Sequence, residues 1–286
     1  MIQEKAYGKV NLHLQVVGKR KDGYHLLETL FSKINIHDTI YVEFIRGGNI
    51  ELMVEGERIR KEKNLAYIAA KWYLARYKIK NWGASIVIKK NIPQGSGLGG
   101  GSSNAASVIR TFIRFFKESD PNLIRDSAEI GADIPFLLSN YNTAIGRGVG
   151  EILEGLDIRK SSDYKLIIVY PNISTSTKEV FDKFDELDRT IKKRTPIKIE
   201  IIRETATEFD IEKMKTNFFN HLESACFNLY PEIGEIKKKL LKLTKGYVFL
   251  TGSGSSLCIL THKDEDVKLD EFSGLKIYNA EFLQTP

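Results

Sequence analysis

The order of strand-like and helix-like segments predicts an α+β protein of two lobes, with helices packed on mainly antiparallel sheets. Three observations carry this. The 286 residues suffice for one large or two medium domains. Hydrophobic residues make up 42% of the chain, enough to fill a core. Segments with a two-residue apolar period and segments with a helical period follow one another, with no repeat or low-complexity tract. The polar stretch 157–163 is the expected divide, giving lobes 1–160 and 161–286.

Residues 6–17 alternate, with Val10, Leu12, Leu14 and Val16 on one face and Lys9, Asn11, His13 and Gln15 on the other. That pattern predicts a half-buried strand, followed by a turn at Lys21, Asp22 and Gly23. Strands at 39–44 and 50–54 flank Gly47 and Gly48 and are expected to form a hairpin. Residues 64–77 read as a helix capped by Asn64, and 85–89 as a strand. A helix at 104–116 follows a glycine run. Residues 126–138 give helical turns broken by Gly131 and Pro135, and 143–152 turn back as a glycine-rich strand. Beyond a buried strand at 164–170, helices are expected at 177–187, 214–229 and 231–243, and strands at 247–251, 256–261 and 275–281.

Composition narrows the function. The longest apolar runs are far shorter than the roughly 20 residues that span a bilayer. With no signal-peptide pattern at residues 1–5, the expected compartment is the cytoplasm. Cys226 and Cys258 lack CxxC or metal-ligand spacing and are expected to be buried, reduced thiols. The net charge of +6 suits either a nucleic-acid binder or an enzyme for anionic metabolites. Lys and Arg are interleaved with acids, and the clusters Lys192-Lys193-Arg194 and Lys237-Lys238-Lys239 are short, which favours the metabolites.

The most informative stretch is Pro93, Gln94, Gly95, Ser96, Gly97, Leu98, Gly99, Gly100, Gly101, Ser102, Ser103, Asn104, Ala105, Ala106. It lies between a strand and a helix. Its glycines allow close backbone approach to a ligand, and its exposed N–H groups with the helix N-terminus make an anion site. No Lys-Ser or Lys-Thr follows the last glycine, so it is not a Walker A loop. Gly95, Gly97 and Gly100 fit GxGxxG, but no strand ending in an acid follows about 20 residues on. Neither HRD nor DFG occurs, which removes the protein kinases.

The run resembles the nucleotide loop of the superfamily that contains galactokinase, homoserine kinase, mevalonate kinase and phosphomevalonate kinase. Three segments narrow the resemblance to the branch acting on 4-diphosphocytidyl-2-C-methyl-D-erythritol. They are residues 6–12 with 18–25, residues 131–136 around Asp133, and residues 250–256 with Gly252 and Gly254. The resemblance implies a GHMP-kinase-like fold with an N-terminal nucleotide-binding lobe and a ferredoxin-like, substrate-binding C-terminal lobe. It implies transfer of the ATP γ-phosphate, with Mg²⁺, to the 2-hydroxyl of the methylerythritol unit, a step of the non-mevalonate route to isoprenoids. The implied partner is a small cytidine diphosphate conjugate rather than nucleic acid or membrane, and the implied state a monomer or weak homodimer. One departure is Gly8, where alanine is usual; it is expected to leave Lys9 less firmly packed. The charged region 182–208 matches nothing in the family pattern.

Each candidate residue has two readings. Asp133 is the base that takes the hydroxyl proton, or the N-cap before Ile134 and Pro135. Lys9 stabilises the attacking oxygen and keeps Asp133 ionised, or is an exposed strand lysine. Tyr24, His25 and Phe181 hold the cytosine, or pack a turn and a helix. By the same resemblance Asn11 and Thr177 contact substrate, while Gly252 and Gly254 bring a second loop to the diphosphate or form a hairpin turn. The metal ligands are not specified. Competing functions are another kinase of the superfamily, for homoserine or mevalonate, and a non-enzymatic phosphate- or nucleic-acid-binding module.

Overall fold

The computed structural model describes residues 1–56, 60–158, 162–188 and 195–284. The Lys192-Lys193-Arg194 cluster and the expected divide at 160/161 lie outside the described residues.

The first sheet has six strands: β1 (Ile2–Lys19), β2 (His25–Arg46), β3 (Ile50–Val54), β4 (Trp82–Lys89), β5 (Thr143–Gly148) and β6 (Ile152–Gly155). Its order is β3-β4-β2-β5-β6, with β1 also paired to β2. Helices α1 (Leu65–Arg76), α2 (Gly100–Phe116), α3 (Leu123–Asp126) and α4 (Ile134–Leu138) belong to this half. Ala69 and Tyr73 of α1, and Val108, Ile109 and Phe112 of α2, form one core with Ile40, Val42, Ile86 and Ile88 of the strands. Asn64 caps α1 as expected, its side chain accepting from Ala66 N at 2.9 Å.

The second sheet is antiparallel, in the order β10-β7-β9-β8, from β7 (Tyr164–Tyr170), β8 (Tyr247–Leu250), β9 (Leu257–His262) and β10 (Lys276–Ala280). Helices α5 (Thr177–Asp188), α8 (Glu223–Leu229) and α9 (Pro231–Leu243) cover one face through Val180, Phe184, Cys226, Ile233 and Leu240. On the other face Leu166, Ile168, Phe249 and Leu260 share a core with Val10, Leu12, Leu30 and Ile34 of the first sheet. Residues of α6 (Ile199–Glu208) and α7 (Ile211–Asn217) complete that core. Both cysteines are buried, and burial pushes the Cys226 thiol up to about 12.

Four local expectations change. Strands β2 and β3 form no hairpin: β3 pairs in parallel with β4, which lies between it and β2. Turn residues can reverse a chain but do not choose its partner, and here the core under α1 does. Strand β1 is buried on both faces from Gly8 to Val16 rather than half-buried. Its polar side meets the C-terminal half, where Leu14 N donates to Phe219 O and His221 N to Leu14 O. That same pairing interrupts the helix expected at 214–229, so α7 and α8 are separate. The charged region 182–208, which matched nothing in the family pattern, ends in α6, whose Ile202 and Ala206 enter the shared core.

Buried Lys33 of β2 donates to Ser139 O at 2.7 Å and lies over the Phe136 ring. Burial, and secondarily the charge of Arg110, lower its pKa from 10.5 to about 7. The unfolded chain therefore binds more protons between these two values, and stability rises with pH through that window. Lys33→Met is expected to raise Tm by roughly 2–6 °C at pH 6, with the gain fading toward pH 10. A pH-independent difference in Tm would contradict the depressed lysine.

Candidate active site

The glycine run is folded against the second loop. Gly97 has φ +83°, and an added Cβ would overlap the Thr251 carbonyl oxygen and meet Gly254. Ser256 N donates to Ser96 O at 3.0 Å, and Thr175 Oγ1 to Gly95 O at 3.0 Å and Ser253 O at 2.9 Å. Only glycine at 97 and 254 lets these two backbones touch. Helix α2 begins at Gly100, inside the run and four residues earlier than its apolar pattern suggests. Gly99 precedes it in the left-handed region, and no side chain caps the helix. The first-turn N–H groups are thus left for an anion, and the helix dipole adds to their pull.

Strand β1 lies across this loop. Lys9 N donates to Leu98 O at 2.9 Å, and Ser103 Oγ to Tyr7 O at 2.6 Å. Gly8 sits where the β1–β2 register shifts, against Leu98 O and Ile92. The expected looseness at Lys9 is not found: it is 3% exposed. Tight packing around Gly8 and the close approach of Gly99 to the Lys9 stem hold it instead.

The Lys9 ammonium is 3.2 Å from Asp133 Oδ2 and donates to Asn11 Oδ1 at 2.6 Å. Asn11 in turn donates from Nδ2 to Thr29 Oγ1 at 2.8 Å and from its backbone N to Thr251 Oγ1 at 2.9 Å. The network fixes the amide so that its oxygen faces the lysine. Asp133 precedes α4, but its side chain caps nothing. The N-cap reading therefore lacks its hydrogen bond, whereas the lysine contact is made.

Lys9, Asp133, Thr177, Gly254 and most of the glycine run line one cleft of about 540 Å³. Leu98 and Ser103 turn inward and are buried. Gly252, at φ +60°, brings the second loop within reach of Asn11 Oδ1 and Lys9 Nζ. Several cleft residues escaped the sequence reading: Arg60, Lys63, Lys90, Thr175 and Ser253. Lys90, just after β4 and before the run, and Ser253, between Gly252 and Gly254 of the second loop, carried a local signal. The others arrive from distant segments.

His25 and Phe181 form a separate group. Their rings stack with centroids 4.7 Å apart at 23°, and His25 Nε2 is 2.7 Å from Asp185 Oδ1. Tyr24 stands on the preceding turn, 61% exposed. Thr177, Phe181 and Asp185 recur every fourth residue along α5, so they share one helix face. Thr177 Oγ1 pairs with Ser253 Oγ at 2.8 Å beside the cleft, so this face leads from the cleft to His25, over roughly 12 Å.

One cleft thus holds the glycine-opened N-terminus of α2 and the lysine–aspartate pair. The chain matches the family profiles described as GHMP kinases N terminal domain, over residues 64–140, and GHMP kinases C terminal, over 202–271. The class is therefore that of the GHMP kinases, phosphotransferase enzymes. The 4-diphosphocytidyl-2-C-methyl-D-erythritol kinase of Petrotoga mobilis is 37% identical over 260 residues, 88% of this chain and 96% of its own. That of Clostridium acetobutylicum is 34% identical over 282 residues, 98% of each chain. The crystal structure of a 4-(cytidine 5'-diphospho)-2C-methyl-D-erythritol kinase superposes with TM-score 0.77 at 29% identity, covering 98% of this chain and 99% of that one. A mevalonate kinase structure shares the fold at TM-score 0.66 and 17% identity. The chain belongs to the family of 4-diphosphocytidyl-2-C-methyl-D-erythritol kinases. Among the described residues no helix is long and apolar enough to cross a membrane.

Proposed function

We propose that this enzyme transfers the γ-phosphate of ATP to the 2-hydroxyl of 4-diphosphocytidyl-2-C-methyl-D-erythritol, a step of the non-mevalonate route to isoprenoid precursors. The observation that carries the chemistry is the 3.2 Å contact of Lys9 with Asp133 in the same cleft as the N-terminus of α2. Asp133 takes the proton from the acceptor hydroxyl as the oxygen attacks phosphorus. Lys9 stabilises charge on that oxygen, while Asn11 holds Lys9. Pro93, Gly95, Ser96, Gly97, Leu98, Gly99, Gly100, Gly101, Ser102, Ser103 and Asn104 form the ATP loop, with first-turn N–H groups on the phosphates.

The described residues contain no cluster of three His, Cys, Asp or Glu side chains. Mg²⁺ thus fits as a companion of the ATP phosphates rather than in an all-protein cage. Asn104 Oδ1, buried and without a hydrogen-bond partner, and the Ser102 hydroxyl are among the cleft's oxygen atoms that would hold it. Bound there, Mg²⁺ neutralises phosphate charge. Residues 1–160 form the nucleotide lobe and 161–286 the acceptor lobe in this reading, with Asn11, Tyr24 and His25 reaching the acceptor from the first. The enzyme works in the cytoplasm as a monomer or weak homodimer.

The acceptor is held by its cytidine end, with Tyr24 and Phe181 stacking on the base and His25 reading its edge. Thr177, Gly252 and Gly254 lie along the intervening path. Stacking on one aromatic is worth about 1–3 kcal/mol. Tyr24→Ala is therefore expected to raise the acceptor KM by roughly tenfold. It should leave ATP KM and Tm nearly unchanged, because so exposed a ring packs little. The deciding measurement is kcat/KM for methylerythritol phosphate, homoserine, mevalonate, and the cytidine and uridine diphosphate conjugates of methylerythritol. The cytidine conjugate should stand far above the rest. Equal use of any other acceptor would reduce the reading to a kinase of the superfamily.

A further inference from the structure

We propose that Asp185, with Lys19, is the positioning pair that makes His25 select cytosine over uracil, an inference that rests on the acceptor reading above. Asp185 Oδ1 lies 2.7 Å from His25 Nε2, and Asp185 Oδ2 is paired with the Lys19 ammonium. Burial raises the Asp185 pKa, but hydrogen bonds from Lys19 and His25 outweigh it and hold the carboxyl below the usual range. An ionised carboxylate only accepts hydrogen bonds, so the proton of the neutral imidazole resides on Nε2. Nδ1 is then left as a lone-pair acceptor, and no described residue bonds to it.

The chemistry of the two pyrimidines does the rest. Cytosine carries an amine at position 4, a hydrogen-bond donor; uracil carries a carbonyl oxygen there. With position 4 at Nδ1, cytosine pairs and uracil sets lone pair against lone pair. Were the proton on Nδ1, the preference would reverse. The ring planes support this placement: His25 lies 23° from parallel with Phe181. A base hydrogen-bonded in the imidazole plane thus lies nearly parallel to the Phe181 ring, in offset stacking range. Phe184 meets the His25 ring edge-on, with centroids 6.0 Å apart, and limits its rotation. Asp185 reaches this position because it stands two turns beyond Thr177 on α5. Lys19 reaches it because it ends β1, paired in register with His25 at the start of β2.

The test measures kcat/KM for the cytidine and uridine conjugates in wild type, Asp185→Asn and His25→Ala, with ¹⁵N-histidine spectra of the wild type and Asp185→Asn. An asparagine amide can donate to Nε2 or accept from it, so it no longer dictates the tautomer. The cytidine-to-uridine ratio is expected to fall roughly tenfold or more in Asp185→Asn, chiefly through the KM of the cytidine conjugate, with ATP KM retained. The wild-type spectrum should show His25 as the Nε2–H tautomer, and the variant a mixture; this readout on the unaltered protein does not depend on how the variant folds. A wild-type His25 protonated on Nδ1 overturns the proposal, as does an unchanged ratio in Asp185→Asn when His25→Ala has lost it. If wild-type enzyme uses methylerythritol phosphate as well as the cytidine conjugate, the acceptor reading itself falls, and this role of Asp185 with it.

Discussion

Asp133→Asn is expected to lower kcat by roughly 10²-fold or more while Tm hardly moves. The amide has the carboxylate's shape but cannot take the hydroxyl proton. In many proteins an acid just before a helix is a cap, and its loss costs about 0.5–2 kcal/mol. Here the Asp133 side chain makes no cap bond, and an asparagine Oδ1 still accepts from Lys9, so the structural cost is confined to the lost counter-charge and the kinetic loss stands apart from it. Lys9→Met should also depress kcat. Because both groups act on one oxygen, the double variant should lose less than the product of the two separate losses. An Asp133→Asn enzyme with wild-type kcat would remove Asp133 from the chemistry.

Gly101→Val is expected to raise ATP KM by tenfold or more without lowering Tm. Gly101 stands in the first turn of α2 and lines the cleft; its added Cβ would meet only Leu65 Cδ1, at 3.6 Å. Valine is a better helix former than glycine by a few tenths of a kcal/mol. The branched side chain therefore enters the space over the first-turn N–H groups while the fold tolerates it. Gly100 is the contrasting position. A Cβ there would come within 2.9 Å of the buried Ile92 side chain, so Gly100→Val should lower Tm and confound stability with binding. Titration of ATP against both variants, with melting curves alongside, separates the effects. Unchanged ATP binding by Gly101→Val would take the phosphates away from this turn.

Much of the fold was legible locally. The α1 cap at Asn64, the apolar face of α2 and the strand at 164–170 each follow from periods and capping chemistry confined to a dozen residues. The features that misled share a cause. Gly47 and Gly48 signal a reversal but not a partner, and β4 takes the place beside β2. The 214–229 pattern is helical in period, yet Asn220 leaves it to donate to Leu250 O and Gly252 O and to pair its backbone with β1. A contact made across 200 residues is invisible to a window of ten.

By itself the sequence determined the family and singled out the glycine run, Lys9 and Asp133 as the candidates that the fold brings to one cleft. Those features are legible in contiguous residues, because close backbone approach and helix N-terminal N–H groups are local chemistry. Only the tertiary structure showed that the Asp133 carboxylate meets Lys9 and caps no helix, since that depends on what the side chain touches. It also decided the use of the polar face of β1, which looks solvated in sequence and is instead buried against a loop more than two hundred residues away. The Asp185 contact with His25 was likewise unreadable in a charged stretch. The physical reason is the same for each: a polar side chain takes its function from its partner, and the partner is chosen by how the two sheets pack.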